Sequence, residues 1–571
     1  MKNSRLFIMI LLVVALITRC STSTEEFQLT TSEDILINQV GYPTFSKKKA
    51  LIKANINAFE LKTINGETVF RGTTTENKYW ELSGDSVRVA DFSDFSNVGD
   101  FVVCISDTVC SYPFKIGDSL YAEMANASLK SYYYARCGVT IEEQFGGKWH
   151  WQAGHPDSVV MVHESAADKN RPAGTVLSAP GGWYDAGDYG KYTVNSSITT
   201  WTLLQSLVLN NQYHESQNLN IPESDNNLPD ILDETLVNLQ WMMTMQDPND
   251  GGVYHKLTTK NFDGFIMPQE TNKQRYMVQK SISAALDYTS TIAAASRIIR
   301  EYQLDDLADE MKKSAVSAWG WAIDNPNEFY VQPEDITTGA YGDTLSVDEW
   351  FWASAELYLL TGEDKFKETM MVNYQLPITP KWDVVHALGV ISLLTSDRRS
   401  EFEQIETDFI AYVDEMLRKE DTCPYLISMD KFAWGSNSDV ANDGMLKLVA
   451  YQLTRNKKYV ASAQNDLAYL LGRNATGYSF VTGFGTKTPL TPHNRLMAND
   501  GIKEPMPGYI VGGPNTIVLT DCEAEKVVRS KYPAASYTDT QCSYSTNETA
   551  INWNAPLVFL SSGLEQYLEN E

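Results

Sequence analysis

Asp185 and Asp188 lie three residues apart in the stretch 181–192, which also holds four glycines and four aromatic residues. This composition disfavours a helix and favours a rigid, exposed loop. Three of the aromatic side chains have flat faces with polar edges, on which a sugar ring can stack: Trp183, Tyr184 and Tyr189. Paired acids beside aromatic residues indicate polysaccharide chemistry. Taken alone, the Asp-Ala-Gly-Asp sequence is equally compatible with a structural turn or a calcium loop.

A second group of chemically useful residues lies near the C-terminus. His493 and Arg495 stand two residues apart, and the donor fork of the arginine can orient a carboxylate or bind sugar hydroxyls. Asp539 and Glu548 follow among aromatic residues that include Tyr544. Glu548 lies at the expected start of the last helix, where a capping role is the alternative to catalysis.

Residues that bind metal ions are present, but their spacing is irregular. Zinc takes cysteine, histidine and aspartate ligands, so four residues are candidates for a metal site: Cys137, His155, Asp157 and His163. Ordinary surface histidines that bind no metal are the favoured alternative. His255 is expected to be a hydrogen-bonded structural residue.

Two kinds of element must position these residues. From about 35 to 117, short alternating or apolar runs between turn residues predict a small all-β sandwich of immunoglobulin-like size. Cys104 and Cys110 flank a predicted hairpin turn, which suits a cross-strand disulfide. The remaining cysteines suit either disulfides or buried free thiols.

The segment 118–571 is mainly α, with helical periodicity in about twelve stretches. These lie near 121–136, 194–212, 229–247, 280–303, 305–323, 346–361, 364–373, 383–397, 400–418, 440–455, 458–472 and 548–569. Twelve helices after a β module favour paired helices closed into an (α/α)6 barrel, although an open array of helical hairpins also fits the number. In a closed ring, the loops at one end meet over the axis, so residues distant in sequence would share one cleft.

The N-terminus has the pattern of a targeting segment. Lys2 and Arg5 precede an apolar run from 6 to 17 that is too short to span a bilayer, and a polar stretch follows Cys20. We predict a signal peptide at 1–19, a tether at 20–34 and an exported protein. Cys20 is the expected lipidation site, and the lipid would anchor the chain to the bacterial outer membrane. Arg19 departs from the small residue that usually precedes such a cysteine, so ordinary signal cleavage followed by secretion is the alternative.

Composition limits the partners. The formal net charge is −27, from 73 acidic and 46 basic residues. This surplus opposes binding to nucleic acid, because no basic excess is present to neutralise phosphates. It equally opposes a polysaccharide lyase that acts on an anionic polymer, whereas a neutral polymer would not be repelled. We expect a monomer that meets the membrane only through a lipid anchor.

From about residue 35 to its end, the sequence resembles glycoside hydrolase family 9, the inverting cellulase family, in the subgroup with an N-terminal immunoglobulin-like module. The resemblance rests on the motifs at 38–42, 229–234 and 434–437 and on three patches that match the family's active-site segments. These patches are Asp185–Asp188, the segment ending His493-Asn494-Arg495, and Asp539 with Glu548 leading to Asn554-Ala555. Each patch alone is weak evidence for the family, but three patches in the family's order are specific evidence.

The resemblance implies roles for individual residues. Asp188 matches the catalytic base, Asp185 its helper in holding water, and Glu548 the general acid. Residues that support the site or bind the glucan are expected at His493, Asp539, Arg495, Trp382, Trp434, Tyr544 and Trp183. Two departures stand out, because Asn494 replaces a second histidine and Gly154 replaces a cysteine of the subgroup's zinc-binding loop. No cofactor is expected for catalysis, and a structural calcium or zinc ion remains compatible.

The chemistry agrees with this assignment. Hydrolysis of a glycosidic linkage needs an acid to protonate the departing oxygen and a base to activate water on the opposite face. Asp185 and Asp188 are too close in sequence to straddle one linkage easily, so we interpret them as one unit that holds the water. Glu548 would complete the pair, and it needs a raised pKa to stay protonated near neutral pH.

We therefore predict an inverting endo-β-1,4-glucanase. The enzymatic alternatives are a relative specific for xyloglucan or mixed-linkage glucan and a relative that acts from chain ends. The alternative from another class is a non-catalytic, glycan-binding surface lipoprotein, which would need the tryptophans but neither the aspartate loop nor the distant glutamate.

Overall fold

The computed structural model describes residues 29–518, 521–523, 527 and 529–569. The expected signal peptide, Cys20 and most of the expected tether lie outside these residues. Among the described residues, no helix combines the length and the hydropathy that crossing a bilayer would require.

An N-terminal β-sandwich contains eleven strands of the described chain. They are β1 Thr30–Thr31, β2 Ile35–Leu36, β3 Gly41–Tyr42, β4 Lys49–Ile52, β5 Ala58–Thr63, β6 Thr68–Thr73, β7 Lys78–Trp80, β8 Asp85–Asp91, β9 Gly99–Cys104, β10 Val109–Cys110 and β11 Phe114–Ile116. One sheet has the order β2-β4-β8-β7, and the other has the order β1-β10-β9-β11-β3 with β5 and β6 attached through β9. Because β1 pairs with β10, the sandwich begins inside the segment that was expected to be a tether.

Aromatic side chains dominate the core between the two sheets. Phe59, Phe92 and Phe114 are buried there, and the ring of Tyr42 meets those of Phe92 and Phe114 edge to face. Cys104 and Cys110 form the predicted disulfide between β9 and β10.

The helical domain contains sixteen helices of the described chain. They are α1 Ala122–Tyr134, α2 Glu143–Gly146, α3 Thr193–Leu209, α4 Asn211–Ser216, α5 Asp230–Thr244, α6 Ile282–Glu301, α7 Asp305–Asp324, α8 Val347–Thr361, α9 Asp364–Asn373, α10 His386–Leu394, α11 Glu403–Thr422, α12 Ser436–Thr454, α13 Lys458–Leu470, α14 Arg495–Asn499, α15 Tyr544–Asn547 and α16 Ile551–Glu569. The twelve predicted helical stretches correspond to twelve of these helices, and the other four are short.

Twelve of the helices form an (α/α)6 barrel, which confirms the predicted fold class. The inner helices are α3, α6, α8, α10, α12 and α16, and each packs against an outer helix from the set α1, α5, α7, α9, α11 and α13. All nine residues of α10 are buried, as inner helices require. Outer helix α11 instead buries one stripe spaced three or four residues apart, the pattern of a helix with one face to solvent: Ile405, Phe409, Val413, Met416 and Glu420.

All six inner helices begin at the same end of the barrel, which we call the active face. The segments that precede them include residues 181–192 before α3, Trp382 before α10, Trp434 before α12 and Glu548 before α16. A small sheet, formed by β12 Val160–Val162, β13 Val176–Leu177, β14 Lys191–Tyr192, β15 Lys256–Thr259 and β16 Arg275–Met277, lies beside the first of these segments. Ring closure therefore brings segments distant in sequence to one surface.

The sandwich packs against loops of the barrel. The buried side chain of Gln39 donates to the Gly477 carbonyl at 2.8 Å and accepts from the amides of Thr486 and Lys487 at 2.9 and 2.8 Å. On another part of the contact, the ring centroids of Trp80 and Tyr425 lie 4.8 Å apart. These contacts explain the 38–42 motif as part of a domain junction.

Candidate active site

The loop that carries Asp185 and Asp188 is closed on itself and packed against the C-terminal segment. The Asp185 amide donates to the Gly190 carbonyl at 3.0 Å. Between the two aspartates, a Cβ atom on Gly187 would lie 2.3 Å from the carbonyl oxygen of His493, so only glycine allows this approach.

Glu548 meets this loop directly. The Gly187 amide donates to Glu548 Oε1 at 3.3 Å, and residues 493 and 548 form a parallel bridge. An aspartate loop and a glutamate that are separated by 360 residues of sequence thus lie at one site. Glu548 is partly exposed at the active face.

Asp188 has one oxygen fixed and one available. Its Oδ2 accepts hydrogen bonds from the Gly190 amide at 3.1 Å and from the Tyr192 hydroxyl at 3.0 Å. No described residue hydrogen-bonds its Oδ1. This arrangement is the one expected for a carboxylate that holds a water molecule with its free oxygen.

Asp185 is more deeply enclosed than Asp188. The Tyr341 hydroxyl donates to Asp185 Oδ2 at 2.7 Å, and the Asn195 amide group contacts Oδ1. Burial raises the pKa of Asp185, and the nearby charge of Asp188 raises it further. Asp185 therefore holds its proton more strongly than an ordinary aspartate does.

The loop that carries Tyr341 is held by two consecutive residues at the start of β15. Lys256 Nζ donates to the Gly339 carbonyl at 2.6 Å, and His255 Nε2 contacts the Ala340 carbonyl at 2.9 Å. His255 is fully buried, so it is the structural histidine expected from the sequence. Tyr341 itself has a φ of 47°, an uncommon conformation that these contacts must support.

Burial raises the pKa of Glu548 well above its ordinary value, and the charges of Asp188 and Asp185 raise it further. The positive charge of Arg495 opposes this effect. A carboxyl with a raised pKa keeps its proton near neutral pH, so Glu548 is suited to donate a proton to a leaving group.

His493 and Asp539 support the site in different ways. His493 Nδ1 contacts the Gln541 carbonyl at 2.7 Å, which orients the ring, and burial lowers its pKa so that the neutral form is favoured. The Asp539 carboxylate accepts from the amides of Leu490 and Thr491 at 2.7 and 2.9 Å and from Asn547 at 3.1 Å. Asp539 therefore positions the loop before His493 rather than contacting the reacting atoms.

Arg495 is only 7% exposed, and it links two loops. Its Nη1 contacts the Gly187 carbonyl, and its Nε donates to the Asp263 carbonyl at 2.9 Å. These contacts make it a brace for the aspartate loop as well as a candidate ligand for substrate.

The aromatic residues that were predicted to bind sugar differ in their exposure to solvent. Trp434 is 43% exposed and its ring lies 5.4 Å from that of Tyr544. Trp382 is partly exposed and meets Tyr341 edge to face at 5.2 Å. These three side chains lie where a glucan could contact them.

Trp183 cannot bind sugar, so this prediction was wrong. It is fully buried, and its indole N–H donates to Glu234 Oε1 at 2.8 Å. Glu234 also pairs with the buried Arg136 at 2.8 Å, which gives the 229–234 motif a structural explanation. Tyr184 and Tyr189 are likewise buried, because the loop turns its aromatic side chains into the barrel and not towards solvent.

The four candidate metal ligands do not form a metal site. Asp157 pairs with Lys191 at 2.7 Å and with Arg275 at 3.1 Å, so two cations already neutralise it. His155 Nδ1 contacts the Tyr184 hydroxyl at 2.9 Å, and His163 lies apart, paired with Asp335 at 3.2 Å. Cys137 is a buried free thiol. Both histidines are buried, which also corrects the expectation that they lie on the surface.

Three carboxylates do cluster elsewhere among the described residues, those of Asp168, Asp247 and Asp250. The ammonium group of Lys280 lies 3.1, 2.8 and 2.8 Å from them, respectively. A lysine therefore supplies the positive charge that these acids require.

Sequence reasoning missed Tyr192, Asn195 and Tyr341, which hold the two aspartates. Tyr192 lies in the stretch that the sequence singles out, but nothing in its spacing shows that its hydroxyl, and not that of Tyr184 or Tyr189, donates to Asp188. Asn195 lies in the first turn of α3, where the turn of the chain after the loop returns it to Asp185, and Tyr341 is brought there from the loop before α8 by the packing of the barrel.

Comparison with known proteins agrees with this architecture. Residues 121–561 match the model of glycosyl hydrolase family 9, and residues 30–109 match that of the cellulase N-terminal ig-like domain. A xyloglucan-specific endo-beta-1,4-glucanase of Bacteroides ovatus is 39% identical, with 99% of each chain covered. Endoglucanase D of Acetivibrio thermocellus is 30% identical over 95% of this chain and 85% of its own.

A solved structure of a Bacteroides ovatus family 9 protein superposes with a TM-score of 0.87 at 38% identity, covering 94% of this chain and 99% of its own. The similarity therefore spans both the sandwich and the barrel. Together with the meeting of Asp185, Asp188 and Glu548 at the active face, it shows that this chain is a glycoside hydrolase and belongs to glycosyl hydrolase family 9.

Proposed function

We propose that the chain is an endo-β-1,4-glucanase that hydrolyses glucan with inversion of the anomeric configuration. Asp188 activates the water molecule, Asp185 helps to hold it, and Glu548 protonates the departing oxygen. Inverting glycosidases need room for that water, with the two carboxyl groups about 6.5–9.5 Å apart. The observation that carries the proposal is the hydrogen bond from Gly187, between the two aspartates, to Glu548.

In this mechanism the protein controls the protonation of each group. The fixed Oδ2 of Asp188 leaves Oδ1 to accept a proton from water, while Glu548 retains its own proton because of burial and neighbouring carboxylates. His493, held neutral, and Arg495 keep the two segments in register. Trp382, Trp434 and Tyr544 are proposed to contact the glucan.

The preferred substrate has a second candidate, xyloglucan. The Bacteroides ovatus relative that is similar over the whole chain is named as xyloglucan-specific. A panel of carboxymethylcellulose, xyloglucan and mixed-linkage β-glucan, with product sizing over time, decides between the candidates. A rapid fall in mean product length supports an endo mode, and release of one short product from the start contradicts it.

The catalytic assignment is tested with Glu548→Gln and Asp188→Asn. We expect each variant to fold normally and to lose hydrolysis by a factor of about 10² or more, the lower end of the range for a general acid or base. Asp430→Asn, which changes an acid in the loop before Trp434, is the matched control and should retain activity.

Wild-type activity in either active-site variant would refute its assigned role. Proton NMR of the first product distinguishes inversion from retention. An inactive wild type that binds glucan through Trp434 would instead support the non-catalytic, glycan-binding alternative.

We also propose a structural calcium ion near the start of α6 and α8. Asp287 is fully buried, and neither oxygen of its carboxylate has a hydrogen-bond partner among the described residues. Asp343 and Glu349 each also have one buried carboxylate oxygen without a hydrogen-bond partner among the described residues, and the charges of Asp348 and Asp343 add to burial in raising the pKa of Asp287. Buried oxygen ligands with excess negative charge suit Ca²⁺, which would neutralise them and join the two helices. No metal is required for the catalytic steps above.

Cysteine chemistry supports an exported protein as the proposed cellular location. Disulfides Cys104–Cys110 and Cys522–Cys542 need an oxidising compartment, which supports export. We propose lipid attachment at Cys20 to a bacterial outer membrane, with secretion as the alternative, and a monomeric enzyme. Mass spectrometry of the mature N-terminus tests the attachment.

A further inference from the structure

The buried carboxylate of Asp157 lies between two cations that also contact the aspartate loop, residues 181–192. Lys191 Nζ lies 2.7 Å from its Oδ2, and Arg275 Nε lies 3.1 Å from its Oδ1. All three side chains are buried. Such a group is by itself weak evidence for stability, because the desolvation of buried charges can cost as much as their attraction returns. The other contacts of the two cations are therefore the informative ones.

Lys191 holds the beginning of the aspartate loop. Its ammonium group donates to the Gly181 carbonyl at 2.7 Å and to the Ala179 carbonyl at 3.1 Å. The donors of the ammonium group are thus shared between Asp157 and two backbone carbonyls. Because Lys191 itself lies at the end of the stretch 181–192, its side chain joins the two ends of the loop.

Arg275 holds the loop immediately after the proposed base. Its Nη1 donates to the carbonyl of Tyr189, the residue that follows Asp188, at 2.6 Å. Its Nε and Nη2 donate to the two oxygens of Asp157 at 3.1 and 3.2 Å. Arg275 lies in β16, which pairs with β12 and β15. Since the guanidinium fork has a fixed geometry, it ties the position of the base to that of a small sheet.

A zinc ion, which the family resemblance left open, does not fit at this carboxylate. The Cys137 thiol donates to the His155 carbonyl at 3.3 Å and to Asp157 Oδ2 at 3.5 Å, whereas zinc binds the thiolate. The same oxygen of Asp157 is bound by Lys191. A divalent ion placed here would lie beside two positive side chains and be repelled by them.

We propose that Lys191 and Arg275 are positioning residues for the catalytic base and that, with Asp157 as their shared anchor, they hold the aspartate loop without a transition metal. We call these three residues the Asp157 clamp. The inference rests on the proposed function, in which Asp188 activates the water molecule. A displacement of about 1 Å in a catalytic group can cost about 10²-fold in rate, so a loop with a base needs such support.

The main experiment uses Arg275→Lys, which keeps a positive charge beside Asp157 but lacks the fork that also reaches the Tyr189 carbonyl. We expect kcat for cellohexaose to fall about tenfold, with KM changed less than about twofold, because the base moves by a fraction of an ångström. Thermal unfolding gives the folded fraction at the assay temperature, and kcat is expressed per folded enzyme.

A second substrate separates the base from the rest of the site. The fluoride of β-cellotriosyl fluoride leaves without protonation of a glycosidic oxygen, but its hydrolysis still needs the water that Asp188 activates. We therefore expect Arg275→Lys to lose the same factor on both substrates. Glu548→Gln should lose far more on cellohexaose than on the fluoride, since it removes only the acid.

Lys191→Met and a chelator extend the test. Lys191→Met should also lower kcat on both substrates, and phenanthroline, which binds transition metals, should change neither the activity nor the melting temperature of the wild type. Arg473→Lys is the matched control, because Arg473 is 1% exposed and donates to Asn465, away from the aspartate loop. It should keep the wild-type kcat.

Three results would overturn the Asp157 clamp: a wild-type kcat in Arg275→Lys, a loss in that variant confined to cellohexaose, or inactivation of the wild type by phenanthroline. If Lys191→Met does not fold, Arg275→Lys decides. A wild type that hydrolyses neither substrate would instead contradict the proposed function.

Discussion

At the scale of single residues, the site depends on hydroxyl and amide groups that hold carboxylates in different environments. Asp188 keeps one oxygen free, Asp185 is enclosed by Asn195 and Tyr341, and Glu548 is enclosed by carboxylates and a backbone amide. The same chemical group can therefore serve as base, helper and acid, because its hydrogen bonds and its burial differ at the three positions.

Tyr341→Phe removes the hydroxyl that donates to Asp185. We expect kcat to fall about tenfold, because the loss of one such hydrogen bond costs about 1.4 kcal/mol. KM should change little if the tyrosine acts through Asp185. Steady-state kinetics on a soluble β-glucan measure both constants. Tyr213→Phe, which removes a hydroxyl at the opposite end of α3, should leave kcat unaltered, and a wild-type kcat for Tyr341→Phe would exclude the role.

Arg495 should set the alkaline limit of activity. Its positive charge lowers the pKa of Glu548, so removing the charge raises that pKa further. Because the acid works only while protonated, activity falls as pH rises through its pKa. We expect Arg495→Met to move the alkaline limb of kcat/KM to higher pH, whereas Arg495→Lys should keep the limb in place. Both variants should hydrolyse glucan more slowly than the wild type, since both weaken the contact with the Gly187 carbonyl. If the alkaline limb of kcat/KM lies at the same pH in both variants, the electrostatic role is contradicted.

At the scale of elements, the barrel places the N-terminal ends of its inner helices around the site. A helix N-terminus carries a partial positive charge, which favours nearby carboxylates. Asp348 and Glu349 lie in the first turn of α8, and Asp287 lies close to them in α6. The α6–α8 pair therefore concentrates acids in excess of what two helix ends can neutralise.

Removal of calcium should destabilise this pair of helices. A ligand at about 100 times its Kd stabilises a protein by about 2.7 kcal/mol, which corresponds to a shift of roughly 3 °C in Tm for a domain of this size. Calorimetry in excess Ca²⁺ and in EDTA measures the shift. Asp287→Asn should abolish most of the difference, while Asp430→Asn should keep it. Identical melting curves with and without Ca²⁺ would argue against the ion.

At the scale of the whole molecule, the sandwich and the barrel share a polar junction. Gln39 makes three hydrogen bonds to the loop at 477–487, which leads towards His493. The sandwich thus supports a loop of the active face.

Gln39→Ala should leave two backbone amides and one carbonyl without these partners. Each buried polar group left unsatisfied costs about 1–3 kcal/mol, so we expect a loss of about 2–4 kcal/mol after partial relaxation. Denaturant unfolding measures it, and calorimetry should show the two domains melting in one transition. Gln404→Ala, at an exposed position of α11, is the control. Two separate transitions in the wild type would show that the junction does not couple the domains.

The local features of this protein could be predicted from its amino-acid sequence. Periodicity located the twelve barrel helices, alternation located the sandwich, and the motifs around Asp185, Asp188, His493 and Glu548 identified the segments that meet at the site. Each of these signals depends on neighbours along the chain: a 3.6-residue or two-residue repeat, or a few glycines beside an acid.

The direction in which each side chain points, and the distant residues that it contacts, depend on how the elements pack and could not be predicted from local patterns. Trp183 and Trp434 are the same residue type, but Trp183 is buried with its indole N–H bonded to Glu234, whereas Trp434 is exposed. Asp157 could have bound a metal, but folding brought Lys191 and Arg275 to it. Tyr341 carries no local signal, because only the packing of the barrel and its loops places it beside Asp185.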